Sequence, residues 1–255
     1  MPRLADNLND ENLENFGPSL GSYGFSATKL DSLGASEYTL VTIMCDASSS
    51  VYTFKNDLEN ALKEIIRSCK YSPRSDNLMV RLVQFSSDLQ EIHGFKLLEN
   101  CNVDDYSGCL SVGGMTALYD ATENALTSTG RYGKQLMEND FGVNGIIFVL
   151  TDGFENNSAV GISNIVESYK EIYEKEHLES LVTVLIGVGI GDADISNTLK
   201  DFKEKVSFNQ YIEAQKADYR TLAKLADFVS KSISSQSLSL GTGGPSQNLG
   251  GDLSI

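Results

Sequence analysis

EYTLVTIMCD, residues 37–46, is a near-continuous apolar run, interrupted between its charged ends only by Thr39 and Thr42. A strand covered on one face alternates apolar and polar residues, whereas a continuous apolar run is what a strand packed on both faces requires. GIIFVLTDG (145–153) and LVTVLIGVG (181–189) have the same character. Between these runs the period changes to that of a helix. VYTFKNDLENALKEIIRSCK (51–70) sets Phe54, Leu58, Leu62, Ile65, Ile66 and Cys69 on one stripe. NLMVRLVQFSS (77–87) and LQEIHGFKLL (89–98) predict two strands joined as a hairpin at Ser87-Asp88. A helix is expected from near Thr116 to just before Gly130, a charged one over 160–177 and another over 193–205. QYIEA (210–214) is a short last strand, and a final helix carries Tyr219, Leu222, Ala226, Val229 and Ile233 on one face.

Strands alternating with helices of this length build βαβ units with right-handed crossovers. The expected fold class is therefore α/β: a doubly wound, mostly parallel six-stranded sheet with one antiparallel edge strand and helices on both faces. Residues 37–236 form the domain. Residues 1–36 keep no period and read as an N-terminal extension, either mobile or laid across the domain. Residues 237–255 close a Ser- and Gly-rich segment that begins near Ser234 and reads as a flexible tail whose leucines could dock on a partner.

The chain has 255 residues, 41% hydrophobic and 22% charged, which suits a globular protein that needs no disulfide or structural metal to hold it together. Thirty-five acidic against 20 basic residues give a formal charge of −15, the wrong sign for nucleic-acid backbones or anionic membranes. No apolar run approaches the roughly 20 residues of a bilayer span, and the first residues lack the apolar core of a secretory signal. Cys45, Cys69, Cys101 and Cys109 form no CxxC pair. Reduced thiols in a cytoplasmic protein are the simplest account.

Several catalytic motifs fail. GVGIGD (187–192) lacks the third glycine of a dinucleotide fingerprint and comes late in the chain, so it reads as a tight turn. DADISN (192–197) starts like a calcium loop but has Asn197 where glycine belongs and Lys203 where a bidentate glutamate belongs. His93 and His177 are the only histidines, one expected in a strand and one in a helix, so hydrolase triads and histidine-based zinc sites lack material.

CDASSSV (45–51) places Asp46, Ser48 and Ser50 at alternate positions just beyond the first buried strand. Oxygens so spaced can converge on a small hard cation; equally, a Ser-rich turn can lead into a helix capped by a serine. GGMTALYDA (113–121) adds Thr116 at a helix start, and VLTDG (149–153) adds Asp152 at the end of a second buried strand. Ligands of doubly wound sheets bind outside the carboxyl ends of strands where the order reverses. With the six expected strands in the spatial order 3-2-1-4-5-6, Asp46 and Asp152 are neighbours at that reversal.

D-x-S-x-S, then T, then D, resembles the metal-ion-dependent adhesion site of von Willebrand factor type A domains. The resemblance runs from about Glu37 to Ile233 and includes VQF (83–85), GG-x-T-x-L-x-D-A and LTDG. Ser49 stands where the family usually has glycine, which removes no ligand. LAKLADFVSKSISSQS (222–237) is further similar to the C-terminus of bacterial tellurium-resistance-type members, which are cytoplasmic and accompany stress-response partners. The resemblance implies hydroxyl ligands from Ser48, Ser50 and Thr116, with Asp46 and Asp152 acting directly or through water. All-oxygen donors favour Mg²⁺, Mn²⁺ or Ca²⁺. It also implies binding rather than turnover: a non-enzymatic module that captures an exposed Asp or Glu of a protein partner. Two rivals are a haloacid-dehalogenase-like phosphotransferase with Asp46 as nucleophile, which wants Asp-x-Asp where this chain has Ser48, and a structural assembly protein.

Overall fold

The computed structural model describes residues 12–18, 23–240 and the backbone of 253–254. Along the chain the elements are β1 (Leu13–Phe16), β2 (Phe25–Thr28), β3 (Glu37–Asp46), α1 (Lys55–Lys70), β4 (Leu78–Phe85), β5 (Leu89–Leu97), α2 (Leu118–Met137), β6 (Gly142–Thr151), α3 (Ile162–Glu174), β7 (Ser180–Val188), α4 (Ala193–Lys205), β8 (Gln210–Ala214), α5 (Tyr219–Ser239) and β9 (Leu253–Ser254). The sheet order is β1-β2-β5-β4-β3-β6-β7-β8-β9. Its inner six strands are the six expected, in the expected order, with β3 parallel to both β4 and β6 and β5 antiparallel to β4.

The near-continuous apolar character of β3 follows from its two covered faces. Val41, Ile43 and Cys45 meet a cluster with Leu58, Leu62 and Ile65 of α1 and Leu222, Val229 and Ile233 of α5. Leu40 and Met44 join the opposite cluster with Leu118, Ala121 and Ala125 of α2, Ile165 of α3 and Phe202 of α4. Helices on both faces leave the ends of the parallel strands as the open crevice, which is where the chemistry gathers.

Three expectations need correction, and one left open is decided for the described residues. The sheet has nine strands rather than six, so antiparallel β5 is not its edge: β2 pairs with it and β1 lies outside β2. Of the two states left open for residues 1–36, the described part takes the second, laid against the domain. Phe25 and Ala27 are buried, Phe16 stacks on Phe25 at 4.4 Å, and the Ser26 amide and hydroxyl both donate to Glu91. Glu91 in turn accepts from Arg81 Nε at 2.7 Å, a buried pair that also engages Asn124 and Ser128 of α2.

The helix beginning after Thr116 does not stop at Gly130 but continues to Met137. A Cβ at Gly130 would lie 2.7 Å from Ile172, and one at Gly133 would lie 2.3 Å from Leu178. These glycines permit close packing inside a helix instead of ending it. At the other end, the Ser-rich segment does not break away at Ser234. It continues α5 to Ser239, where buried Gln236 donates to Ser180 Oγ and its carbonyl accepts from Asn144. Leu253–Ser254 pair in parallel with β8, and the rest of the expected tail, 241–252 and 255, lies outside the described residues. Smaller departures are Tyr219, which is exposed rather than on the buried face of α5, and His177, which follows α3 instead of lying within a helix. No described helix is long and apolar enough to cross a membrane.

Candidate metal centre

The parallel register of β3 on β6 sets Cys45 beside Leu150, so the two strands end one step later at Asp46 and Thr151. That alignment explains the first bond of the site: Thr151 donates its hydroxyl to Asp46 Oδ2 at 2.7 Å. Asp46 Oδ1 accepts the Ser48 amide at 2.8 Å, which curls the chain back over the strand end. Ser48 Oγ lies 3.0 Å from Ser50 Oγ, and Ser50 donates to Asp152 Oδ1 at 2.9 Å. Asp46, Ser48, Ser50 and Asp152 are thus one hydrogen-bonded chain across the ends of β3 and β6. Ser48 begins a short 3-10 turn, Ser49–Thr53, but its side chain makes no cap bond, so serine capping is not the use made of it.

Thr116 arrives on a loop tied to both of the others. Ser49 donates its amide and hydroxyl to Gly114 O, and the Gly113 amide donates to Ala47 O. On the other side the Thr116 amide donates to Asn156 Oδ1 at 2.8 Å, and the Asn156 amide donates back to Thr116 O at 3.0 Å. Thr116 is 5% exposed, close to Asp46 at 2% and Ser48 at 3%. All five expected residues therefore stand on three loops that are directly hydrogen-bonded to one another. Ser49, in the place of the usual glycine, is absent from the residues with positive φ, so the turn has no need of glycine there.

Other residues hold this geometry without touching its centre. Glu59 of α1 accepts the amides of Gly108 and Leu110, and Gln84 of β4 accepts that of Ser111, which fixes the irregular chain leading to Thr116. Glu155 takes the amides of Asn157, Ser158 and Tyr119, while Asp120 takes those of Ala159 and Val160. These roles had no signature beyond isolated polar residues near the motifs, because a carboxylate that gathers backbone N–H groups leaves no periodic trace in sequence. Thr151 is the partial exception, since it directly precedes Asp152.

Burial pushes the Asp46 carboxyl up to about 6, against the lowering effect of its bonds from Ser48 and Thr151, with Asp152 adding a smaller upward push. Burial also raises Asp152, opposed by the bond from Ser50. Two carboxylates kept near each other in poor solvent, with hydroxyls between them, are held at an electrostatic cost that a cation would relieve. Among the described residues no three His, Cys, Asp or Glu side chains cluster as a metal site. That is consistent with a centre of two carboxylates and three hydroxyls, whose chemistry suits a hard cation better than a thiolate or imidazole site would.

No curated protein sequence matches the chain. Among solved structures it is similar to proximal thread matrix protein 1 from the mussel byssus, described with a zinc-occupied MIDAS motif, at 22% identity and TM-score 0.51 over 79% of this chain and 47% of that one. It is also similar to the PilB minor pilin of Streptococcus sanguinis, at 17% identity and TM-score 0.56 over 85% and 66%. The pilus adhesin SpaC of Lactobacillus rhamnosus GG matches at 12% identity and TM-score 0.59 over 89% and 33%. The chain thus spans from about a third to about two thirds of the length of these proteins, and the likeness is one of fold. The model of the von Willebrand factor type A domain matches residues 41–231, across both strand ends and the Thr116 loop, and the chain belongs to that family.

Proposed function

We propose that the domain is a metal-dependent protein-binding module in which Asp46, Ser48, Ser50, Thr116 and Asp152 hold one divalent cation, and that its ligand is a carboxylate offered by a protein partner. The observation that carries this reading is the continuous hydrogen-bonded chain from Asp46 through Ser48 and Ser50 to Asp152, beside a Thr116 loop bonded to both flanks. When bound, the cation supplies a localised positive charge with a coordination position open to an outside oxygen. The chain's own residues do the rest: Asp46 orients Ser48, Asp152 orients Ser50, and Asn156 locks the backbone of Thr116. Mg²⁺ is the proposed ion, with Mn²⁺ and Ca²⁺ as close substitutes; zinc is included in the test because the byssus protein is described with it.

Binding, not turnover, is the proposed output. Asp46 is 2% exposed and both of its oxygens are engaged, one by a backbone amide and one by a hydroxyl, so it is poorly placed to attack a phosphorus atom in line. Four unpaired cysteines, three of them buried, support a reducing compartment such as the cytoplasm. The charge of −15 supports a protein partner over nucleic acid or an anionic membrane.

Thermal unfolding in EDTA and in Mg²⁺, Mn²⁺, Ca²⁺ or Zn²⁺ tests the ion. At a hundredfold excess over Kd, native-state binding stabilises by about 2.7 kcal/mol. Wild type should gain this and Asp46→Ala should not; identical responses to every ion would sink the proposal. Generic phosphate esters with Mg²⁺ should give no turnover, and an activity lost in Asp46→Asn would favour the enzyme instead.

A further inference from the structure

Among the described residues seven large apolar or aromatic side chains are exposed, and three of them stand on the three loops of the metal centre. Tyr52 is 77% exposed and follows Ser50 by two residues. Met115, 50% exposed, directly precedes Thr116, and Phe154, 42% exposed, follows Asp152 by two. The loops are joined by bonds from Ser49 to Gly114, Ser50 to Asp152 and Thr116 to Asn156, so the three residues stand on loops that meet at one place in the fold. Solitary exposed apolar groups need no explanation, but one on each loop of a single site is a contact surface in the making.

The charges of the same loops narrow the choice of partner. DASSSVYTF (46–54), SVGGMTALYD (111–120) and TDGFENNSAVG (151–161) contain no lysine or arginine. Their outer carboxylates are occupied by the loops' own amides: Glu155 by those of Asn157 and Ser158, and Asp120 by those of Ala159 and Val160. One incoming carboxylate has a cation to meet. A second would find no lysine or arginine within these stretches, since the adjoining Lys55 is paired with Glu59 at 3.7 Å, and it would face a domain of charge −15.

We propose that the rim of Tyr52, Met115 and Phe154 selects a protein segment with a single Asp or Glu flanked by large apolar side chains and with no second acid beside it. This rests on the metal-clasp reading and adds the specificity to it. The cation fixes the position of the acid, and the apolar rim shields that contact from water while burying the flanking side chains.

The test is a selection from a random peptide display library on the immobilised full chain in Mg²⁺ or Mn²⁺, with elution by EDTA. The expected eluate is enriched in one acid with apolar neighbours and depleted of paired acids. Its best peptides should bind a Tyr52→Ser/Met115→Ser/Phe154→Ser chain at least about tenfold more weakly. The three single variants serve if the combined one folds poorly, and metal-dependent thermal stabilisation, kept in each, shows that the centre is intact. An EDTA-eluted pool rich in acids but with polar flanks overturns the rim and leaves the clasp standing. A pool in which no peptide is released by EDTA overturns the clasp, and this inference with it.

Discussion

His93 and Asp46 are both buried titratable groups, and they act on stability in opposite directions as pH changes. The carbonyl of Gly94 can only accept, so His93 Nδ1 carries the proton and Nε2 accepts from Tyr106 OH at 2.8 Å. Burial, helped by Lys96, lowers the imidazole from 6.5 to about 3. Between those values the unfolded chain binds a proton that the folded chain refuses. The stability this group contributes is therefore complete above pH 6.5 and lost progressively towards pH 3, by about 2 kcal/mol at pH 5. Asp46, raised to about 6, does the reverse in the metal-free protein: its contribution is complete below 3.8 and lost as pH rises through 6. The two offset each other, so the measurement is a difference. Denaturant melts of wild type and His93→Gln in EDTA at pH 7 and pH 5 should show the wild type losing about 2 kcal/mol more. Equal losses would mean that His93 is protonated in the fold. At this scale the meeting of the five candidate residues was legible because their polar side chains crowd into three short motifs. His93 was not, because neither its burial nor its tyrosine partner is written near it.

At the scale of elements, the joint between β2 and β5 depends on one glycine. A Cβ on Gly94 would lie 2.1 Å from both Ser26 O and Ser26 Oγ, too close for β2 to keep its place. Gly94→Ala should therefore push β2 off β5, baring Phe25 and taking two of Glu91's donors away while Arg81 stays with it. The expected cost is about 1–3 kcal/mol. Hydrogen exchange should show residues 25–28 losing protection while β3 and β6 keep theirs; unchanged protection at 25–28 would refute the clash. The long buried strands were legible because near-continuous apolar runs of this length admit few alternatives. β1 and β2 were not, since four residues each are too few to display a period and their burial depends on a distant arginine–glutamate pair. The continuation of α2 through Gly130 and of α5 into serines was hidden for a related reason. Tertiary packing overrode residues that in isolation mark an end.

Across the whole molecule, the alternation of strands and helices was enough to infer the doubly wound class, and the strand order supposed for that class brought Asp46 and Asp152 together. The additions on either side are what it left out. β1 and β9 lie at opposite margins of the sheet, eight strand spacings apart, or about 38 Å. The contacts that secure these margins are small. β2 meets β5 through the single register pair Ala27 with Phe95, and β9 meets β8 through two, whereas β3 and β6 share nine. A tensile load applied at β1 and β9 would thus pass through its weakest joints first and peel the margins before reaching the centre. In single-molecule stretching between those strands, short low-force extensions should precede the main rupture, and saturating Mg²⁺ should raise the force of the main rupture alone. A rupture in one step would deny the hierarchy. If the steps separate, the molecule yields to strain from its margins inward, and the candidate metal centre, set between the two best-joined strands, is the last part to open.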